Sequence, residues 1–125
     1  MKAPPPLEQE DQKALVELLQ QPGVLNPQWV YTHIPSGEKR DIRTAMKLKA
    51  MGVMPGFPDF IFAHQSGRVF WLELKRRGSK ARVSFAQQAM RDFLQRGGNY
   101  LLTDDIDDAI GTLHDLGIVR AMVSA

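Results

Sequence analysis

Two apolar, aromatic-rich runs separated by a short polar turn constrain the fold of this chain most. The runs are residues 56–63 and 69–75, and the turn between them contains Gly67. A short glycine-containing connection of this kind predicts a β-hairpin. If the strands pair symmetrically about Ser66, Asp59 lies directly opposite Glu73, with Cβ atoms about 4.5–5.5 Å apart. Like charges at that distance repel each other, so this end of the hairpin requires something that relieves the repulsion.

The end of the hairpin has the composition of a cation site. Side chains alternate between the two faces of a strand, so Lys75 points to the same side as Glu73, and Asp59 joins them across the pair. Hard divalent cations prefer oxygen ligands such as carboxylates. The register therefore predicts a bound divalent cation between Asp59 and Glu73. Considered singly, Asp59 is more typical of a turn residue, and Glu73 and Lys75 of a solvated strand end.

Composition sets broad limits on the class of protein. The chain has 125 residues, of which 43% are hydrophobic and 24% are charged, as in an ordinary globular domain. It has no cysteine, which excludes disulfides, cysteine-ligated zinc and thiol nucleophiles. No apolar run approaches the roughly 18 residues of a membrane span. We expect residues 1–6 to form a flexible, proline-rich leader and residues 7–125 to form a single domain.

Charge is distributed unevenly along the chain, although the net charge is only +2. Basic residues dominate between positions 68 and 82, whereas acidic residues dominate the last quarter. This asymmetry predicts one basic face beside the carboxylate pair, and a solvated loop is the alternative interpretation.

The apolar periodicity predicts the element order α, β, α, β, β, α, β, α. The expected helices cover residues 7–20, 41–51, 84–96 and 104–116. The expected N-caps are Asp41, Ser84 and Thr103. The expected strands are 29–34, the two arms of the hairpin and 99–102, and residues 118–123 are expected to form an edge strand or an interface segment. The predicted class is α/β, with a mixed central sheet flanked by helices.

Three short motifs together resemble the VRR-NUC (virus-type replication-repair nuclease) family of the PD-(D/E)xK restriction-endonuclease-like superfamily. They are Gly56-Phe57-Pro58-Asp59, Glu73-Leu74-Lys75-Arg76 and Ser84-Phe85-Ala86-Gln87. The upstream runs at residues 33–37 and 48–52 are also similar to that family, although Ser36 stands where an asparagine is more usual. The resemblance extends from Glu8 to about Leu113 and implies a restriction-endonuclease-like core.

The resemblance also implies an activity and a cofactor. It implies a metal-dependent DNA endonuclease that hydrolyses phosphodiester bonds, is structure-selective like a Holliday-junction resolvase, and acts in replication, repair or recombination. Asp59 and Glu73, with the backbone carbonyl of Leu74, would bind Mg²⁺ or Mn²⁺. The early acidic ligand of the family maps best to Glu8, and Glu10 is the competing candidate.

The remaining roles concern water and DNA. Lys75 would position or deprotonate the attacking water. Gln87 would orient the water, the lysine or a phosphate, and the alternative is a helix-capping partner. We expect sequence-independent phosphate contacts from a set of basic residues, and the members of this set are Arg76, Arg77, Lys80, Arg82, Arg43 and Lys47. The histidines at positions 33, 64 and 114 lack ligand spacing and are expected to be structural or exposed.

The expected partners are branched or structured DNA and a second copy of the chain. The apolar segment from Ile118 to Val123 motivates the homodimer. We expect no membrane, no organic cofactor and a cytoplasmic location in a bacterial or phage-infected cell. The alternative function is a catalytically silent DNA-binding or interaction module that keeps the nuclease fold.

Overall fold

The computed structural model describes residues 8–35, 41–75 and 84–120, with only the backbone described for Glu8 and Gln9. The leader predicted at residues 1–6 lies outside this part of the chain. The helices are α1 (Glu8–Leu19), α2 (Ile42–Ala50), α3 (Phe85–Gln95) and α4 (Ile106–Asp115). The strands are β1 (Trp29–His33), β2 (Phe60–His64), β3 (Val69–Leu74) and β4 (Tyr100–Thr103). The predicted element order and the α/β class are therefore confirmed.

The four strands form one mixed sheet in the order β1-β2-β3-β4. β1 pairs with β2 and β2 with β3 in antiparallel fashion, whereas β3 and β4 are parallel. Parallel neighbours require a crossover connection, and α3 lies between β3 and β4 in the sequence. The ends of β3 and β4 consequently meet at one edge, where the Lys75 N–H donates to the Thr103 carbonyl at 2.8 Å.

One face of the sheet carries the apolar core. Phe60 and Leu72 are paired across the hairpin, point to this face and are fully buried. Helices α1 and α4 contribute side chains to the same core, and its helical members are Leu15, Leu19, Ala109 and Leu113. Burying a large apolar side chain of this kind stabilises the fold by about 1.5–3 kcal/mol. Glu73 lies between Leu72 and Leu74, so it faces the opposite side, where it contacts α3.

Helix α4 begins later than its predicted start, and Thr103 is not its N-cap. Thr103 is the last residue of β4, and its hydroxyl accepts the Asp105 N–H at 3.1 Å. Asp105 is the N-cap, because its carboxylate accepts the Asp107 N–H at 2.9 Å. The prediction was wrong because the Thr103 hydroxyl is used in a turn that ends at Asp105. The Asp105 carboxylate lies closer to the first free N–H groups of the helix.

The segment after α4 is neither an exposed edge strand nor an exposed interface in its described part. Ile118 is 0% and Val119 3% exposed, and both belong to the core. Val119 forms an isolated antiparallel bridge with Leu25, and the Arg120 N–H donates to the Val24 carbonyl at 2.8 Å. The segment therefore closes over the loop that follows α1, and the homodimer loses the observation that motivated it. Residues 121–123 lie outside the described residues.

Helix α2 differs from the other helices because none of its residues is buried. Asp41 is its N-cap, as predicted, and accepts the Thr44 N–H at 2.6 Å. Within the described part of the chain, no helix is both long and apolar enough to cross a membrane.

Candidate active site at the end of the hairpin

The hairpin has the predicted register. Ala63 pairs with Val69 and Ile61 pairs with Trp71, and the paired ladder continues to Phe60 and Leu72. Asp59 and Glu73 are the next residues beyond that last pair. The sequence pattern therefore predicted correctly which residues lie at this end of the hairpin.

The main chain of Asp59 is fixed from several directions. Pro58, directly before it, is fully buried. The Asp59 carbonyl accepts the Ile34 N–H at 2.6 Å and also contacts His33 Nδ1 at 2.8 Å. A carbonyl can only accept, so Nδ1 of His33 carries the proton in this bond. His33 thus has a structural role, and that role is to hold the backbone of Asp59.

The loop before Asp59 is pressed against the start of α3 at Gly56. Gly56 has φ +93°, and a Cβ atom at this position would lie 2.6 Å from the carbonyl oxygen of Ala86. A left-handed φ combined with such a close backbone approach requires glycine. The Gly56-Phe57-Pro58-Asp59 motif and the Gln87 motif are therefore in direct contact.

The carboxylate of Asp59 is placed against the second motif. Its Oδ2 accepts the Leu74 N–H at 2.7 Å, across the end of the hairpin. This hydrogen bond brings the Asp59 side chain beside the peptide that joins Glu73 to Leu74.

The carboxylate of Glu73 is held by two residues that the sequence did not single out. Arg91 of α3 donates from Nε to Oε2 at 3.0 Å and from a terminal nitrogen to Oε1 at 3.2 Å. The Tyr100 hydroxyl donates to Oε2 at 2.5 Å. Glu73 and Arg91 are 6% and 7% exposed, so the pair is buried. We call these three residues, Glu73, Arg91 and Tyr100, the Glu73 clamp.

Both donors of the clamp have raised pKa values. Burial acts to lower the pKa of Arg91, but the hydrogen bonds and charge of Glu73 outweigh it and raise that pKa above its usual value. Burial, then the hydrogen bond to Glu73 and its negative charge, raise the pKa of the Tyr100 hydroxyl well above its usual value. The charge of Glu73 is therefore compensated by Arg91 inside the protein.

Comparison with solved structures shows that the fold of the whole chain is a known one. A structure described as a VRR_NUC domain protein matches with a TM-score of 0.62 and 22% sequence identity, over 88% of this chain and 87% of that chain. The chain has a VRR-NUC fold. No protein-family model matches the sequence, and no curated protein matches it either. The resemblance noted in the three motifs is confirmed at the level of the fold, and the molecule is a nuclease-fold domain.

The other two predicted catalytic residues, Lys75 and Gln87, also belong to the described part of the chain. Lys75 follows β3 directly and is half-buried. Gln87 forms a capping box with Ser84: its side-chain oxygen accepts the Ser84 N–H, and its own N–H donates to the Ser84 hydroxyl, both at 3.1 Å. The capping role that the sequence left open for Gln87 is thus observed, while a role in catalysis stays a prediction.

The early acidic residues of α1 differ in their burial. The side chain of Glu8 lies outside the described part, and Glu10 is exposed. Asp11, which the sequence analysis did not consider, is 5% exposed. It stands four residues before the fully buried Leu15, and that helical spacing could have identified it as the acidic side chain on the inner face.

Only part of the predicted basic face can be located. Arg43 and Lys47 are exposed on α2, and Lys49 is exposed beside them. The other predicted phosphate contacts, Arg76, Arg77, Lys80 and Arg82, lie outside the described residues. Their role in binding DNA stays a prediction.

The residues at the hairpin end fit a cation that needs few protein ligands. Among the described residues, no three histidine or acidic side chains come together in a group that could hold a metal ion. The Asp59 carboxylate nevertheless lies against the Leu74 peptide, and Glu73 is the residue directly before Leu74. Mg²⁺ is commonly held by one or two carboxylates, with water and substrate phosphate completing its coordination. The donor set fits Mg²⁺ or Mn²⁺ in that mode, and it does not form a complete protein cage.

Proposed function

We propose that this chain is a member of the VRR-NUC family and a metal-dependent DNA endonuclease that hydrolyses phosphodiester bonds. The observation that carries the proposal is the hydrogen bond from the Leu74 N–H to the Asp59 carboxylate. It joins the Pro58-Asp59 turn to Glu73-Leu74-Lys75 at one end of a hairpin, within a fold shared with a VRR_NUC domain protein.

The proposed cation ligands are Asp59, one oxygen of Glu73 and the backbone carbonyl of Leu74, with Glu8 as the early acidic ligand. A bound Mg²⁺ or Mn²⁺ would act as a Lewis acid on the scissile phosphate and would lower the pKa of its bound water. The oxygen donors of these residues support this assignment.

The remaining residues act on water and on DNA in this proposal. Lys75 orients or deprotonates the attacking water and offsets negative charge that develops on the phosphate. Gln87 orients the water, the lysine or a phosphate by its side-chain N–H₂, since its oxygen is used in the capping box. The exposed Arg43 and Lys47 bind DNA phosphates without reading sequence.

The proposed substrate is branched or structured DNA met in replication, repair or recombination. A homodimer and a cytoplasmic location in a bacterial or phage-infected cell belong to the same proposal. A monomeric mass in light scattering at micromolar concentration would contradict the dimer without affecting the proposed chemistry.

The test compares the purified protein with an Asp59→Asn variant. Asparagine can still accept the Leu74 N–H but carries no charge, so the hairpin end keeps its hydrogen bond. Four-way junction, flap, duplex and supercoiled plasmid are incubated with Mg²⁺, Mn²⁺ or EDTA. We expect cleavage by the wild type with either metal, none in EDTA and none by Asp59→Asn, while DNA retardation persists in the variant. Asp115→Asn, at an exposed position on α4, is the matched control and should cut normally.

Two results would contradict the proposal. Cleavage by Asp59→Asn at the wild-type rate would show that the active site is elsewhere. Cleavage in EDTA would show that the reaction does not require a divalent metal.

The Glu73 clamp favours a second candidate function, a catalytically silent DNA-binding module. A carboxylate already paired with a buried arginine has less need of a cation to neutralise it. Retardation of DNA with no cleavage of any substrate in Mg²⁺ or Mn²⁺ would support this second function.

A further inference from the structure

The Glu73 clamp limits what Glu73 can offer to a cation. An ionised carboxylate has about four lone-pair positions, two on each oxygen. Oε2 accepts from both Arg91 and Tyr100, whereas Oε1 accepts from Arg91 alone. One position on Oε1 therefore remains, and Glu73 can coordinate a cation through a single oxygen while the clamp is closed.

The clamp also brings a permanent positive charge to the proposed metal site. Arginine stays protonated at all accessible pH values, and its fork on a carboxylate is among the stronger charge-assisted pairs. The side chains of Arg91 and Glu73 are 9% and 8% exposed, so water screens their charges little. A divalent cation at Glu73 would be repelled by this guanidinium.

We propose that Arg91 is an internal counter-ion that competes with the divalent cation for Glu73, so that the protein binds the cation weakly in the absence of DNA. Tyr100 assists by occupying the second position on Oε2. This inference rests on the proposed function, because it assumes that Glu73 is a ligand. It explains how a buried carboxylate is stable in the protein before a cation binds.

The experiment measures Mn²⁺ binding by titration calorimetry without DNA, together with thermal unfolding with and without Mn²⁺. Arg91→Gln removes the charge, and Tyr100→Phe removes one donor while keeping the ring. Arg96→Gln, at the exposed C-cap of the same helix, is the matched control. Arg91→Gln removes a positive charge that repels a cation at Glu73, so we expect a roughly tenfold lower Mn²⁺ dissociation constant in this variant.

Four further results are expected. Arg91→Gln melts below the wild type without metal, because a buried carboxylate has lost its partner, and Mn²⁺ raises its melting temperature more than that of the wild type. Tyr100→Phe binds Mn²⁺ more tightly than the wild type by a smaller factor. Arg96→Gln binds Mn²⁺ as the wild type does.

Equal or weaker Mn²⁺ binding by Arg91→Gln would overturn the inference. If that variant does not fold, Tyr100→Phe decides, and binding no tighter than wild type overturns it. Wild-type cleavage in Mn²⁺ together with unchanged affinity in the variants would overturn this inference alone. Absence of Mn²⁺ binding in every protein, with no cleavage, would overturn the proposed metal site as well.

Discussion

Replacing Gly56 by alanine tests the contact between the Asp59 loop and α3. The new Cβ would lie 2.6 Å from the Ala86 carbonyl oxygen, 2.9 Å from the Ala86 carbonyl carbon and 3.2 Å from the Gln87 nitrogen. These are backbone atoms, so no side-chain rotation can relieve the overlap. Gly56 also has φ +93°, which alanine adopts only with strain.

A Gly52→Ala variant separates the cost of the left-handed backbone from the cost of the overlap with α3. Gly52 has φ +97° and lies in the same loop, but a Cβ there would meet nothing within 4 Å. Gly52→Ala should destabilise the fold by about 1–2 kcal/mol, from the left-handed backbone alone. Gly56→Ala adds about 1–3 kcal/mol for the overlap and should reach about 2–5 kcal/mol in all.

Thermal and urea unfolding of the two variants measure this difference. One kcal/mol shifts the melting temperature of a domain of this size by about 4 °C, so the expected losses are about 4–8 °C for Gly52→Ala and about 8–20 °C for Gly56→Ala. Equal losses in the two variants would refute the contact between the loop and α3. Gly56→Ala should also weaken DNA cleavage, because the loop that it displaces carries Asp59.

Three more predictions concern other parts of the fold. Ser84→Ala should lower the free energy of unfolding by about 0.5–2 kcal/mol in a urea titration, because it removes one hydrogen bond of the capping box with Gln87. Ile118→Ala should lower it by about 2–5 kcal/mol, since Ile118 is fully buried, and a loss like that of a surface substitution would place it outside the core. The hydrogen bonds from Thr44 to Asp41 lower the pKa of Asp41 below 3.8, so its contribution to α2 should be complete above that pH and disappear as the pH falls through the lowered pKa. Amide exchange in α2 monitors that change, and equal exchange in wild type and Asp41→Ala at pH 6 would contradict it.

Local patterns were sufficient to predict the order of elements and the hairpin register. The register follows from a short glycine-containing turn and from period-two alternation, both of which lie within residues 56–75. The N-caps Asp41 and Ser84 follow from equally local chemistry. Asp59 and Glu73 could therefore be placed at the same end of the hairpin without a structure.

The partners of Glu73 could not be predicted in the same way. Arg91 and Tyr100 lie 18 and 27 residues away in sequence, on elements whose docking depends on the whole sheet. An arginine on an amphipathic helix is normally assigned to the solvent side. The burial of Ile118 was not predicted for a similar reason, since it depends on the loop around Val24 and Leu25, which is distant in sequence.

The parallel pairing of β3 with β4 has a consequence for the order of folding. The hairpin closes through contacts between residues close in sequence, whereas β4 can pair only after the chain has passed through α3. Because Arg91 on α3 both pairs with Glu73 and helps to bury it, we expect Glu73 to stay hydrated until α3 docks. We therefore expect the docking of α3 to be a late and salt-sensitive step in refolding.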